Sequence, residues 1–185
     1  MPFIETGFPG LLVFEPRVFK DDRGYFFESY NFNTFTQNGI TEPFVQDNQS
    51  NSTFGVIRGL HYQLAPYSQS KLVRALEGSI LDVVVDLRKG SPTFHKTYSV
   101  ELSAENKKQL FVPKGFAHGF QTLEDESQDL YFHSSIYAPL NEAALNIKDP
   151  LLDIKWPLNI INLSKSDESH PFLTEDFKGI TINEM

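Results

Sequence analysis

The feature that most constrains the fold is a series of short apolar runs, each ended by glycine or proline. The stretch "KLVRALEGSILDVVVDLRKGSPTF" (71–94) contains two runs rich in Val, Ile and Leu that meet at Gly78. "KKQLFVPKGFAHGFQTL" (107–123) reads as a strand, a Pro-Gly turn and a second strand, and "QDLYFHSSIYAP" (128–139) is again strand-like. Strands recurring about every 8–12 residues with such turns predict an all-β sandwich or barrel.

Helix is predicted in only two places, "FNTFTQNG" (32–39) and "SKSDES" (164–169). From Leu140 onward the chain becomes polar and irregular, so we expect this tail to wrap over the barrel. No linker, repeat or low-complexity segment divides the sequence. One domain spanning residues 1–185 is therefore expected.

Composition excludes several classes of function. The 185 residues carry a net charge of −8 and include no cysteine. An acidic surface does not attract nucleic acid or anionic membranes, so neither is expected as a partner. The absence of cysteine excludes disulfides and thiolate metal sites. We see no signal peptide or transmembrane segment and expect a cytoplasmic protein.

The pattern P-x-G-x-x-H, from Pro113 to His118, resembles the second conserved motif of the cupin jelly rolls. Proline and glycine shape a tight corner there, and the following strand would carry His118 into the barrel mouth. The alternative is an ordinary β turn followed by a buried histidine that is bonded to backbone.

His61 lies in the polar stretch "VIRGLHYQ" (56–63). Metal-binding cupins supply a second histidine two residues on and then a glutamate, and both are missing here. Two histidines without a carboxylate bind a first-row metal poorly, so no metal is expected. His61 is then available as a base near neutral pH, the alternative being a satisfied core histidine.

Three basic residues stand out in this acidic chain, namely Arg23, Arg58 and Lys71. Singly, each would be an ordinary surface charge. Together with His61 they could bind a diphosphate and stabilise a developing oxyanion.

Six stretches together carry a family resemblance. They are "EPRVFKDDRGYFFESY" (15–30), "FVQDNQS" (44–50), "VIRGLHYQ" (56–63), 71–94, "LSAENKKQLFVPKGFAHGF" (102–120) and "WPL…LSKSD" (156–167). In this order and spacing the chain resembles the dTDP-4-dehydrorhamnose 3,5-epimerases. The resemblance implies an all-β cupin jelly roll that acts without a cofactor on a dTDP-linked 4-keto-6-deoxyhexose. It also implies a homodimer whose N-terminal strands are exchanged.

The resemblance also implies roles for individual residues. His61 is similar to the base that takes a proton beside the ketone, and Asp167 to the carboxylate that orients it. Lys71 matches the lysine facing the C4 oxygen, and Tyr131 the tyrosine that returns a proton to the opposite face. The implied substrate contacts are Phe19, Arg23, Glu28, Gln46, Asn48, Arg58, His118, Tyr137 and Glu142.

Some alternatives stay open. Ser164-x-x-Asp167 also fits a helix capping box, and Tyr131 could be an ordinary strand aromatic. Departures from the family pattern at Phe132, Ser166 and Ala143-Ala144 leave substrate and regiochemistry open. A mono-epimerase, a ketoisomerase and a non-catalytic sugar-nucleotide-binding cupin are the alternatives. Gln63 has no assigned role.

Overall fold

Two antiparallel β-sheets form the body of the protein, as a computed structural model of residues 2–182 describes it. Met1 and residues 183–185, the ends of the predicted domain, lie outside the described residues. The strands are β1 (Phe3–Glu5), β2 (Leu12–Phe14), β3 (Phe19–Asp21), β4 (Gly24–Phe26), β5 (Gln46–Ser52), β6 (Ile57–Gln63), β7 (Lys71–Glu77), β8 (Ser79–Asp86), β9 (Thr97–Ser103), β10 (Gln109–Val112), β11 (Phe116–Thr122), β12 (Ser127–His133) and β13 (Glu142–Ala144). The helices are α1 (Phe32–Thr36) and α2 (Lys165–Glu168), both at the predicted positions.

Strands that follow one another in the chain are distributed over the two sheets. One sheet has the order β1-β2-β10-β7-β12-β5, the other the order β13-β6-β11-β8-β9, and β3 and β4 form a separate hairpin. The chain crosses from the first sheet to the second at Gly78, where φ is +66° and a Cβ would collide with the Ser127 side chain. Only glycine fits this crossing, which explains its position between the two apolar runs.

The core lies between the facing sheets. Val73 and Leu110 of the first sheet pack with Val84, Leu102 and Phe120 of the second, and all are buried. The other face of β8 is covered as well. Because both faces of this strand are buried, its sequence is a nearly continuous apolar run. The all-β prediction with few short helices is confirmed.

The C-terminal tail covers the outer face of the second sheet, as expected. Leu145, Ile147 and Leu173 of the tail pack against Leu60 and Val85, whose side chains point away from the core between the sheets. The same wrapping brings α2 against β6. Within residues 2–182 no helix is both long enough and apolar enough to cross a membrane.

Candidate active site

A cavity of about 700 Å³ opens between the two sheets. Strands β6, β7, β11, β12 and β13 contribute to its wall, and α2 closes one side. Seven residues predicted from the sequence line it: Arg58, His61, Lys71, His118, Tyr131, Glu142 and Asp167. The structure therefore brings all four residues predicted as catalytic, and three predicted substrate contacts, into one site.

His61 reaches the cavity because β6 and β11 approach each other very closely. Gly59 has φ +123°, and a Cβ there would lie 2.6 Å from the Cα of Gly119. Only glycine permits this approach, which places His61 directly opposite His118 in the strand register. The glycine in "RGLHYQ" therefore allows the close contact between the two strands that positions His61.

Asp167 pairs with His61 across 106 residues of chain. Its Oδ1 lies 2.8 Å from Nε2 of His61. The backbone N–H of Asp167 donates to Oγ of Ser164, the N-cap of α2, at 3.0 Å. Burial favours a higher pKa for Asp167, but the hydrogen bond and charge of His61 outweigh it and lower the pKa. The backbone N–H of Asp167 therefore takes part in the helix cap, while its carboxylate binds His61.

Lys71 and His118 add two groups whose pKa values burial lowers. Burial lowers the pKa of Lys71 to about 8, against the opposing charges of Asp82 and Glu142. His118 is buried, and its Nε2 lies 2.9 Å from Oδ2 of Asp82. Its partner is thus a carboxylate and not backbone. Burial nevertheless lowers the pKa of His118, because it outweighs the attraction of Asp82.

Tyr131 faces the cavity from the wall opposite His61. It lies on β12, between Asn48 of β5 and Val73 of β7 in the first sheet. His61 belongs to β6 in the second sheet. A molecule bound between the sheets therefore meets a histidine on one side and a phenol on the other.

Three further predicted contacts form a hydrogen-bonded chain with Glu142 at the cavity. The hydroxyl of Tyr137 donates to Glu142 at 2.9 Å, and its backbone N–H donates to Oε1 of Gln46 at 2.8 Å. Nε2 of Gln46 in turn donates to Oδ1 of Asn48 at 3.0 Å. Gln46, Asn48 and Tyr137 are thus connected to the cavity through Glu142.

Gln63 now has a structural role. This buried side chain donates to the carbonyls of Tyr67 at 2.7 Å and Ile136 at 3.1 Å, and accepts from the N–H of Ala138 at 2.7 Å. It therefore fastens the segment that carries Tyr137 to the loop after β6. The sequence offered no signal for this role, because the N–H of Ala138 that Gln63 binds lies 75 residues further along the chain.

Phe19, Arg23 and Glu28 are not among the residues that line the cavity of the single chain. Phe19 and Arg23 belong to the exposed β3–β4 hairpin, where Arg23 pairs with Asp21 at 2.6 Å. Glu28 is exposed and accepts from Nδ2 of Asn31 at 3.1 Å. The single chain does not bring them to this cavity, and their role as substrate contacts stays a prediction.

Two residues at the site were missed from the sequence, Asp82 and His170. Asp82 is a fully buried carboxylate inside the apolar run of β8, and that unusual position was its signal. His170 follows α2, and its ring lies 5.3 Å from that of His61 in a T-shaped arrangement. Its spacing of three residues from Asp167 was the available signal.

The departures from the family pattern differ in their relation to the site. Ala143, Ala144 and Ser166 line the cavity. Phe132 instead belongs to an aromatic cluster on the outer face of the first sheet, with its ring 5.9 Å from that of Phe44. Of these four residues, only the first three therefore line the cavity.

A jelly roll that presents a carboxylate-paired histidine and a tyrosine on opposite walls, with a lysine beside them, has the arrangement of a cupin-type epimerase. Comparison with known proteins gives the family. The family profile described as dTDP-4-dehydrorhamnose 3,5-epimerase matches residues 5–175. The chain belongs to this family, so the predicted family and isomerase class are confirmed.

Individual relatives agree with this assignment. The dTDP-4-dehydrorhamnose 3,5-epimerase of Shigella flexneri is 48% identical over 179 residues, which cover 96% of this chain and 99% of that protein. The Legionella pneumophila enzyme, solved in complex with dTDP-4-keto-L-rhamnose, superimposes with a TM-score of 0.91 at 41% identity, covering 98% of each chain. A 3'-monoepimerase from Streptomyces bikiniensis, in complex with dTDP-quinovose, has a TM-score of 0.83 at 36% identity, covering 89% of this chain and 84% of that one.

Proposed function

We propose that this protein converts dTDP-4-dehydro-6-deoxy-D-glucose into dTDP-4-dehydro-β-L-rhamnose by inverting C3 and C5. The carrying observation is the His61–Asp167 pair on one wall of the cavity and Tyr131 on the other. Inversion of a carbon beside a ketone requires removal of its proton from one face and return of a proton to the opposite face. Two walls of different chemistry meet that requirement.

His61 is the base in this proposal. The C–H bond beside the ketone breaks, its proton passes to the imidazole, and the electron pair moves to the C4 oxygen as an enolate. Asp167, 2.8 Å from Nε2 of His61, holds the ring and stabilises the imidazolium. The ammonium of Lys71 stabilises the enolate oxygen, which is the largest electrostatic change in the step.

Tyr131 returns the proton. Its phenol O–H carries the proton that the enolate carbon needs, so Tyr131 begins as the acid. It gives its proton to the carbon from the face opposite His61. The electron pair of the enolate C=C bond forms the new C–H bond, and the ketone at C4 forms again. His61 then loses its proton and Tyr131 regains one, so two such cycles invert both carbons.

The remaining groups hold the nucleotide sugar. The Nε–H of Arg58 donates to Oγ of Ser52 at 3.0 Å and Nη2 donates to the carbonyl of Asn51 at 3.3 Å. These bonds orient the guanidinium and leave further N–H groups for the diphosphate. His118 and Glu142 line the cavity, and Gln46, Asn48 and Tyr137 extend from Glu142 towards the sugar nucleotide.

Phe19, Arg23 and Glu28 complete the site in a homodimer. Their exposure in the single chain suits residues that enter the cavity of a partner subunit when N-terminal strands are exchanged. Size-exclusion chromatography with light scattering tests the dimer, and a monomeric mass would remove this role. The cytoplasmic location stays a prediction.

The deciding experiment follows proton exchange in D₂O by NMR. We expect deuterium to enter both C3 and C5 of dTDP-4-dehydro-6-deoxyglucose. Exchange at one carbon would instead establish a mono-epimerase, the second candidate, which the similarity to the Streptomyces bikiniensis 3'-monoepimerase supports. Absence of exchange at both carbons, with the substrate bound, would leave only a sugar-nucleotide-binding protein.

A further inference from the structure

His61, Asp167 and His170 form a cluster with the chemistry of a metal site. Each offers one ligand atom, and the three atoms lie within 4.8 Å of one another. Oδ1 of Asp167 is 2.8 Å from Nε2 of His61 and 3.8 Å from Nδ1 of His170. We propose that this triad binds Zn²⁺, and that the bound ion switches the enzyme off by occupying the nitrogen of His61 that faces Asp167.

The spacing of the three atoms is close to what zinc requires. Tetrahedral Zn²⁺ with bonds of about 2.0–2.2 Å holds its ligand atoms about 3.4 Å apart. The His61–Asp167 pair, now 2.8 Å apart, must therefore open by about 0.6 Å. His170, now 3.8 Å from Asp167, must approach by about 0.4 Å. The ligand atoms of His61 and His170, which lie within 4.8 Å of each other, must also reach about 3.4 Å, so we expect side-chain rotations to bring all three together.

His170 supplies an independent indication of a ligand. Within residues 2–182 its buried Nδ1 has no hydrogen-bond partner, although the side chain is only 13% exposed. Its other ring nitrogen lies 3.5 Å from Oγ of Ser166.

The ligand types favour zinc over magnesium. Asp167 and Glu142 supply two negative groups in the cavity, and Arg58 and Lys71 are the opposing cations there. Two imidazoles and one carboxylate form a ligand set that zinc uses, with a fourth position open to water. Magnesium prefers oxygen ligands and retains its waters, so it should bind poorly.

Inhibition follows from the two nitrogens of an imidazole. A neutral histidine that donates a lone pair to a metal through Nε2 carries its proton on Nδ1. His61 then has no free lone pair with which to take a proton from the sugar. This consequence rests on the proposed function, whereas binding of the ion does not.

The test begins with protein stripped of metal by a chelator and titrated with ZnCl₂ against a chromogenic competitor. We expect one ion per chain and shifted ring signals of His61 and His170 in the NMR spectrum. His170→Gln should weaken zinc binding at least about tenfold, and its own metal-free rate of proton exchange is the reference for its inhibition by zinc. His95→Gln is the matched control, since His95 lies in the turn between β8 and β9, outside this cavity.

Two results would overturn the site itself: no saturable zinc binding, or equal binding by His170→Gln and the unaltered protein. The rate of proton exchange at C3 and C5 should fall as zinc occupies the site and recover after EDTA is added. Mg²⁺ should leave the rate unchanged. Exchange that continues at full occupancy would overturn the inhibition. If metal-free protein exchanges no protons at all, the proposed function fails while the titration still reports on the site.

Discussion

Replacement of Asp167 by Asn tests the base directly, because it removes the charge and keeps the shape. The N-cap bond uses the backbone N–H of Asp167, so α2 should persist. The Asn amide can donate to Nε2 of His61, which would place the ring proton on Nδ1 and remove the free lone pair. We therefore expect proton abstraction at C3 and C5 to slow together.

The magnitude follows from the geometry of the pair. The Nε2–Oδ1 distance of 2.8 Å places the two charge centres roughly 4 Å apart, which corresponds to about 4 kcal/mol at an effective dielectric constant of about 20. The His61 side chain is 37% exposed, so solvent screens part of this attraction. A remaining stabilisation of about 2–3 kcal/mol predicts a slowing of about 30-fold to 150-fold.

The assay is the initial rate of deuterium entry at C3 and C5 under saturating substrate. Glu168→Gln provides the control, because it removes a neighbouring carboxylate that is exposed on the same short helix. Thermal melting of both variants checks that the fold persists. A folded Asp167→Asn variant that exchanges protons within about threefold of the unaltered rate would refute the pairing as the source of base strength.

Three further predictions concern other parts of the site. Tyr131→Phe should block product formation but leave wash-in of deuterium from His61's face; equal loss of both would contradict its role as the acid. The profile of kcat/KM should fall as pH rises through about 8, because Lys71 loses its ammonium charge there; a Lys71 pKa near 10.5 in an NMR titration would oppose this. Gln63→Ala should lower the free energy of unfolding by about 2–4 kcal/mol, since three hydrogen bonds are lost, and should raise KM through Tyr137; unchanged denaturant midpoint and KM would contradict it.

Short apolar runs ended by glycine or proline indicated a sandwich or barrel, because each strand of the core carries its own local pattern. β7 and β8 were visible as two apolar runs, and the glycine between them indicated a turn. Whether those strands pair or separate was not visible. In the structure they lie in different sheets. The tight contact between Gly78 and Ser127 at this crossing depends on the packing of β12, which the sequence around Gly78 does not show.

The sequence by itself determined the all-β class, the two short helices and, through its motifs, the identities of His61, Lys71, Tyr131 and Asp167. These depend on local pattern and residue type. Only the tertiary structure decided which groups meet, because contacts such as Asp167 with His61 join residues 106 positions apart. The tertiary structure also showed that Phe132 lies away from the cavity, that His170 lies beside His61 and that Gln63 binds the segment of Tyr137. The burial and direction of these side chains are set by the neighbouring strands and not by the adjacent residues in the chain.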